Sequence, residues 1–471
     1  MSEQTLRAIA ELVESARPNE SFVARRTIPA EHLRLSIHGL GGLEWPVTPE
    51  RAAKIRTLAR PARYGLGELT LLDPTVRDTW EIPAALVTVE EERWNSALTP
   101  ILDELRTELG LPAHSPLTAE LHSMLLYEPG QFFRRHRDSE KADGMIATLV
   151  VTLPGTYVGG ELVVEHRGES FTEQGSPDEL VLTAFYADCE HEVLPVTTGH
   201  RITLTYNLIT NTSAAALPAP PDALTHQLRQ HFTDPAQAEL QSNGRPVHAP
   251  SRLVYLLDHQ YTQRGLTFDQ LKGADAARVS VLRSAAEVTD CGTALVLVEI
   301  CETFEGRFED SEWMYGRSRR WERRRDEWIV VDESWEPHEE PDLDTIAREF
   351  RDNPDFTTTP VDHPDRIAQS DPTDTDVTLT WWSGEVPPTA AQTAFHVDET
   401  ELCDAFAAPG NDAYAFESAG FLGNEGNTAD RWYRRAAIVV WPRNPVEPPR
   451  TGTDAEPATR GPWKRLMRRF A

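Results

Sequence analysis

From Met145 onward the chain becomes a succession of short strand-forming runs, MIATLVVTL, ELVVEH, ELVLTAFYA, HEVLPV and RITLTYNLI. Turn residues cut them apart at Pro154-Gly155, Gly159-Gly160, Gly175-Ser176-Pro177 and Gly199. A strand must find hydrogen-bond partners for its backbone on a neighbouring strand, and short runs at regular spacing with turns between them do so most readily in a jelly-roll sandwich or barrel. The last run also sorts by parity. Arg201, Thr203, Thr205 and Asn207 share one face, and Ile202, Leu204, Tyr206 and Leu208 share the other.

Just upstream lies YEPGQFFRRHRDSEKADG, with His136 and Asp138 two positions apart. On an extended segment they point to the same side. An imidazole and a carboxylate presented together supply two of the three ligands of a 2-His-1-carboxylate triad, which holds Fe(II) on one face and leaves the other open. HxD also occurs by chance, and His396-Val397-Asp398 is a second copy. That copy follows Pro387-Pro388 and precedes ETELCDAF, read as a helix-like acidic segment, so it is not expected to bind metal. For the third ligand His166, His191 and His200 are candidates; His191, at the start of a late strand, is the best placed. Arg201 on the inner face of a barrel would be a buried charge in need of an anion. The distal carboxylate of 2-oxoglutarate is such an anion, gripped by two parallel hydrogen bonds, while an internal acid such as Glu161 is the alternative partner. Arg134, Arg135 and Arg137 either form a positive rim that captures an anionic co-substrate or pair with surface acids.

The order Tyr127, His136-x-Asp138, Gly159-Gly160-Glu161-Leu162, His191 and Arg201 resembles the iron(II)- and 2-oxoglutarate-dependent dioxygenases, in their prolyl 4-hydroxylase-like branch, over roughly residues 120–210. The resemblance implies a double-stranded β-helix. It also implies His136, Asp138 and His191 as iron ligands and catalytic residues, and Arg201, Tyr127 and Thr203 as co-substrate-binding residues. Fe(II), 2-oxoglutarate and O2 are the implied cofactors, with ascorbate a candidate reductant. The implied reaction couples decarboxylation of 2-oxoglutarate to hydroxylation of an unactivated C–H bond, and the carboxylate of Asp138, at the position halogenating relatives leave open, favours hydroxylation.

The expected fold class is α+β: a jelly-roll oxygenase domain with helical N-terminal elements, such as the periodic Glu91 to Leu109, plus a mixed α/β C-terminal region of unassigned fold. The oxygenase domain is expected over 1–211 and, from the Pro/Ala-rich AAALPAPPDAL, a linker over 212–250. The C-terminal region would run over 251–442 and a disordered tail over 443–471. Polar runs from Glu305 to Arg325 and from Asn353 to Asp376 read as exposed loops, and Trp313, Trp321, Trp328 and Trp335 as loop tryptophans that either form a partner surface or anchor the loops.

Composition narrows the function. A net charge of -29 repels phosphate backbones and argues against a nucleic-acid partner, so a nucleic-acid demethylase is the weakest reading. The substrate classes left are a protein side chain such as proline or a small molecule. A sensor of oxygen or 2-oxoglutarate with a partner-binding C-terminal region is the alternative to an enzyme. No apolar run reaches the about 18 residues of a membrane span. Acidic residues near the N-terminus, where a secretion signal needs an apolar centre, and four cysteines without CxxC spacing make a cytoplasmic protein the expectation. Nothing in the sequence speaks to oligomeric state.

Overall fold

The computed structural model describes residues 2–16, 21–66, 69–113, 115–138, 144–210, 217–233, 250–305, 317–324, 327–335, 372–383, 396–398, 400–403, 413–419 and 428–443. The run of strands after Met145 folds into two sheets around one core. The larger has seven strands in the order Val23–Pro29, Glu179–Tyr186, Met145–Thr152, Arg201–Thr210, Leu117–Tyr127, Trp80–Pro83 and Arg60–Pro61. The smaller has five, in the order Glu169–Glu173, Leu162–His166, Glu190–Val193, Phe132–His136 and Arg77–Asp78. Leu125, Tyr127, Val150 and Phe185 from the first and Phe133, Leu162, Val164 and Val193 from the second join a single hydrophobic cluster. Two antiparallel sheets sharing one core are the jelly-roll arrangement the turn spacing predicts.

Both faces of the seven-stranded sheet are covered, which explains why Met145–Thr152 is buried at every position. The helix Glu91–Glu108 buries Trp94, Leu98, Ile101, Leu102 and Leu105, a stripe at helical spacing. Trp94 lies 6.4 Å from the ring of Tyr206, so the helix takes the even-numbered face of Arg201–Thr210. The odd-numbered face is left to look into the sandwich. There, Arg201 is the cross-strand partner of Tyr127, and Thr203 is flanked by Leu125 and Thr152.

A second core is built on a nine-stranded sheet, in which the long strands Cys291–Glu305 and Thr428–Pro442 pair antiparallel along their whole length. Leu253, Tyr255, Leu295, Ile438 and Val440 from this sheet cluster with Leu282 and Ala285 of the helix Gly273–Val288. Two expectations change here. The stretch read as a linker contains the helix Asp222–Thr233, whose Leu224 and Leu228 are buried one turn apart. And the N-terminal helix Ser2–Glu14 contributes Leu6, Ile9 and Val13 to this second core, so residues counted with the oxygenase domain complete the other unit. Short amphipathic helices are marginal alone and go where an apolar face awaits them, which chain order does not reveal.

The polar run read as a loop contains the strand Arg317–Arg324, paired with Glu327–Trp335 and with Ala415–Ala419. Trp321 is buried against Phe304 and Phe416, and Trp328 and Trp335 lie on the partner strand; Trp313 lies outside the described residues. Charged residues on one side of an antiparallel strand do not prevent pairing when that side meets water. ETELCDAF, read as helical, contributes the strand Leu402–Cys403, which runs parallel to Val254-Tyr255. Most of the run from Asn353 to Asp376 and the tail beyond Arg443 lie outside the described residues. Among the described residues no helix is long and apolar enough to cross a membrane.

Candidate metal centre

His136 ends the strand Phe132–His136, and its cross-strand partner is His191 on Glu190–Val193. Asp138 lies two residues past the strand end, anchored by its backbone N–H donating to the carbonyl of Ala187 (3.0 Å). The three side chains converge. One ligand atom from each lies within 4.8 Å of the others, with His136 Nε2 3.9 Å from Asp138 Oδ1 and His191 Nε2 3.7 Å from Asp138 Oδ2.

The protonation pattern suits a metal. His136 Nδ1 sits 2.9 Å from the carbonyl oxygen of Arg134, and His191 Nδ1 sits 3.1 Å from that of Cys189. A carbonyl only accepts, so each Nδ1 carries a proton and each ring turns its Nε2 toward Asp138. Burial, aided by the neighbouring His191, holds the His136 imidazole well below its ordinary pKa, in the neutral form that ligates. Phe133 stacks on His136 with centroids 3.5 Å apart, and Phe185 lies 4.6 Å from His191, so both rings are backed by aromatic walls.

Thr148 was not legible as part of this site. Its hydroxyl donates to Asp138 Oδ2 at 2.6 Å, leaving Oδ1 on the side of His136. The available signal was a threonine interrupting the apolar run MIATLVVTL on the inward parity.

Arg201 is 2% exposed, Thr203 is 0% exposed and Tyr127 is 1% exposed. Among the described residues no acid forms an ion pair with Arg201, and Glu161, the alternative partner, instead accepts from Gln174 at 3.4 Å. Arg201 Nε and Thr203 Oγ1 are buried without hydrogen-bond partners. The rest of the guanidinium meets the Tyr157 hydroxyl, which brings no negative charge, and a buried cation with no acid beside it costs several kcal/mol unless an anion meets it. The arginine cation lies over the Tyr127 ring, 5.4 Å from its centroid. Gly160, at φ +69°, makes room: a Cβ there would stand 3.1 Å from Arg201 Cδ and 2.8 Å from Val196 Cγ2. The donor set and this cradle fit Fe(II) and a dicarboxylate such as 2-oxoglutarate.

Two of the three flanking arginines pair with surface acids, and the third, exposed Arg134, lies over the Phe132 ring, 6.0 Å from its centroid. Arg135 pairs with Glu165 at 2.8 Å and Arg137 with Glu190 at 3.3 Å, across the smaller sheet and away from the ligand atoms. His200 sits in the turn before Arg201 and joins no ligand cluster among the described residues. His166 belongs to a different cluster, with Asp188 and His259. The second HxD separates: His396 is exposed and pairs with Asp376 at 2.5 Å, while Asp398 accepts from the backbone N–H and hydroxyl of Thr400.

Residues 122–209 match the family described as the 2OG-Fe(II) oxygenase superfamily, and this part of the chain is an oxygenase domain of that superfamily. The protein is accordingly a 2-oxoglutarate-dependent dioxygenase, an enzyme that uses Fe(II), 2-oxoglutarate and O2. Among solved structures it is similar to a Pseudomonas putida prolyl-4-hydroxylase, at 21% identity and a TM-score of 0.26 over 43% of this chain and 98% of that one. It is also similar to a prolyl hydroxylase from Trichoplax adhaerens in complex with a hypoxia inducible factor peptide fragment, at 14% identity and a TM-score of 0.28 over 44% of this chain and 91% of that one. A third, a 2OG-Fe(II) oxygenase family oxidoreductase from Burkholderia pseudomallei, shares 15% identity at a TM-score of 0.24, over 45% of this chain and 92% of that one. No curated protein matches the chain.

Proposed function

We propose that the protein hydroxylates an unactivated C–H bond, with His136, Asp138 and His191 holding Fe(II) and Arg201, helped by the Thr203 hydroxyl, holding the distal carboxylate of 2-oxoglutarate. The reading rests on one observation: a convergent pair of Nε2 atoms and a carboxylate share a sandwich interior with a buried, acid-free arginine. The bound iron and co-substrate supply the oxidising power for C–H cleavage. This chain's own residues do the rest. Backbone carbonyls of Arg134 and Cys189 orient the two imidazoles, Thr148 orients the carboxylate, and Phe133 and Phe185 keep water from the ligand rings. Tyr127, beside Arg201 on the next strand, lines the same cradle.

A prolyl side chain in a protein is the first substrate to test, in line with the prolyl 4-hydroxylase-like motif order. Incubating iron-loaded protein with labelled 2-oxoglutarate, with and without cell extract, measures decarboxylation and its stimulation by substrate. Decarboxylation that extract stimulates supports the hydroxylase. Iron and 2-oxoglutarate binding with no turnover under any condition favours the sensor reading instead.

A further inference from the structure

Between the two cores lies a second His–Asp–His cluster, and its surroundings give it a different task. Asp188 belongs to the jelly roll, on the turn between Glu179–Tyr186 and Glu190–Val193. Its buried carboxylate is gripped entirely from the second unit: by His259 Nδ1 at 3.0 Å, the backbone N–H of Gln260 at 3.0 Å and Lys272 Nζ at 3.0 Å. Lys272 is 3% exposed and spends another donor on the Gln260 carbonyl at 2.9 Å. Behind it, fully buried Asp275 accepts from the backbone N–H groups of Asp258 and His259 and from the Tyr261 hydroxyl. Arg278 ties that layer to Asp258 at 2.6 Å and to Glu14 of the N-terminal helix at 2.9 Å. His166 stacks on His259, 4.9 Å between centroids. A metal at Asp188 would have to displace the Lys272 ammonium and the proton that His259 donates, so the cluster is an ion-pair clamp.

What the clamp holds is the turn that sets the iron ligands. Immediately before Asp188, the Ala187 carbonyl receives the backbone N–H of Asp138; immediately after it, the Cys189 carbonyl receives Nδ1 of His191. Two of the three ligands thus take their orientation from carbonyls on either side of Asp188, whose carboxylate the second unit grips. We propose that Asp188, His259 and Lys272 are positioning residues of the metal centre, through which the second unit holds the Ala187–Cys189 turn in the geometry that iron binding needs. The inference rests on the reading of Asp138 and His191 as ligands. It assigns the C-terminal region a role in completing the active site.

The test is an anaerobic Fe(II) titration of the full chain with a competing chelator. The double variant Asp188→Ala/Lys272→Met removes the grip and leaves neither charge buried without its partner. Its Fe(II) affinity is expected to fall about tenfold, the lower end of what loss of an outer-shell partner costs. Arg252→Met/Glu401→Gln is the matched control, removing the 2.8 Å buried ion pair of the second unit that lies away from the turn. It should lower the thermal unfolding midpoint and leave the iron affinity unchanged. Wild-type iron affinity in the first double variant, or equal loss in both, overturns the inference. Should the first double variant not fold, Asp188→Asn takes its place: it keeps the shape and weakens each charge-assisted bond, and a loss of about threefold is expected, between nothing and the outer-shell cost. Iron affinity of Asp188→Asn equal to wild type overturns the inference as well. His191→Ala separates the two readings. If it binds iron like wild type, the ligand assignment fails; if it loses iron while the double variant does not, only the positioning role fails.

Discussion

Among the described residues lie two clusters of two histidines and one aspartate, His136/Asp138/His191 and His166/Asp188/His259, alike in composition and in how closely their atoms converge. They differ in what the carboxylate already holds. Asp188 is met by an ammonium, an imidazole N–H and a backbone N–H, and despite its burial Lys272 and His259 keep its pKa well below the usual range. Asp138 faces two imidazoles whose protons point the other way, toward backbone carbonyls. A ligand set is therefore defined by where its protons are, and that is set by the partners behind each ring. The first cluster turns two imidazole Nε2 atoms toward one carboxylate, whereas the second has a lysine ammonium built onto its carboxylate.

The largest effect that would break this contrast is on iron itself. Replacing His136, Asp138 or His191 by alanine should abolish 2-oxoglutarate turnover and reduce bound Fe(II) from one per chain to none, an effect above the about hundredfold limit for losing an outer partner. His166→Ala should keep one iron, and loss of a bound metal there would make the second cluster a metal site after all. Next comes Arg201→Leu. Charge-assisted hydrogen bonds contribute about 1.5–3 kcal/mol, so the 2-oxoglutarate requirement should rise about 10- to 100-fold while iron affinity holds. Lysine should restore part of it, keeping the charge and losing the fork. An unchanged requirement in the leucine variant would place the carboxylate elsewhere.

Thr148→Val sharpens the comparison more gently, since it removes a side-chain hydroxyl that orients Asp138 and keeps the shape. Iron affinity should drop about tenfold, and an equal affinity would mean that the Thr148 hydroxyl does not orient the carboxylate. The smallest effect concerns the second cluster and pH. Burial, with the adjacent His259, lowers the His166 pKa from 6.5 to about 4. Between those values the unfolded chain takes up a proton that the folded chain refuses, so stability contributed by His166 is present above pH 6.5 and drains away as pH falls toward about 4. His166→Phe, which keeps a ring on His259, should flatten that part of a stability-against-pH curve measured by chemical denaturation. A curve of unchanged slope would show that His166 titrates normally.

How much of this was readable in advance divides by the range of the contacts. The spacing of His136 and Asp138, the parity of Arg201 and Thr203 and the turn signals between short strands are local properties. A strand has a period of two whatever it pairs with, so the succession of short strands and the inward arginine are legible from residues a few positions apart, while the meeting of His191 with His136 and Asp138 depends on pairing between strands far apart in the chain. Thr148 was hidden because its value depends on Asp138 having left the strand and turned back toward it.

The clamp on Asp188 was hidden for a stronger reason: its partners stand 71 and 84 residues along the chain, beyond a stretch that reads as a linker. The same is true of the N-terminal helix, whose Leu6 lies on Cys403, 397 positions along the chain, the Cys403 thiol pointing to the Leu6 carbonyl. Residue order alone sets which side chains are polar, which face of a strand they share and which chemistry they offer. Which of the two His–Asp–His clusters carries a lysine ammonium on its carboxylate is settled by tertiary contacts, because that depends on a charge brought from a distant segment and on the low dielectric in which the two meet.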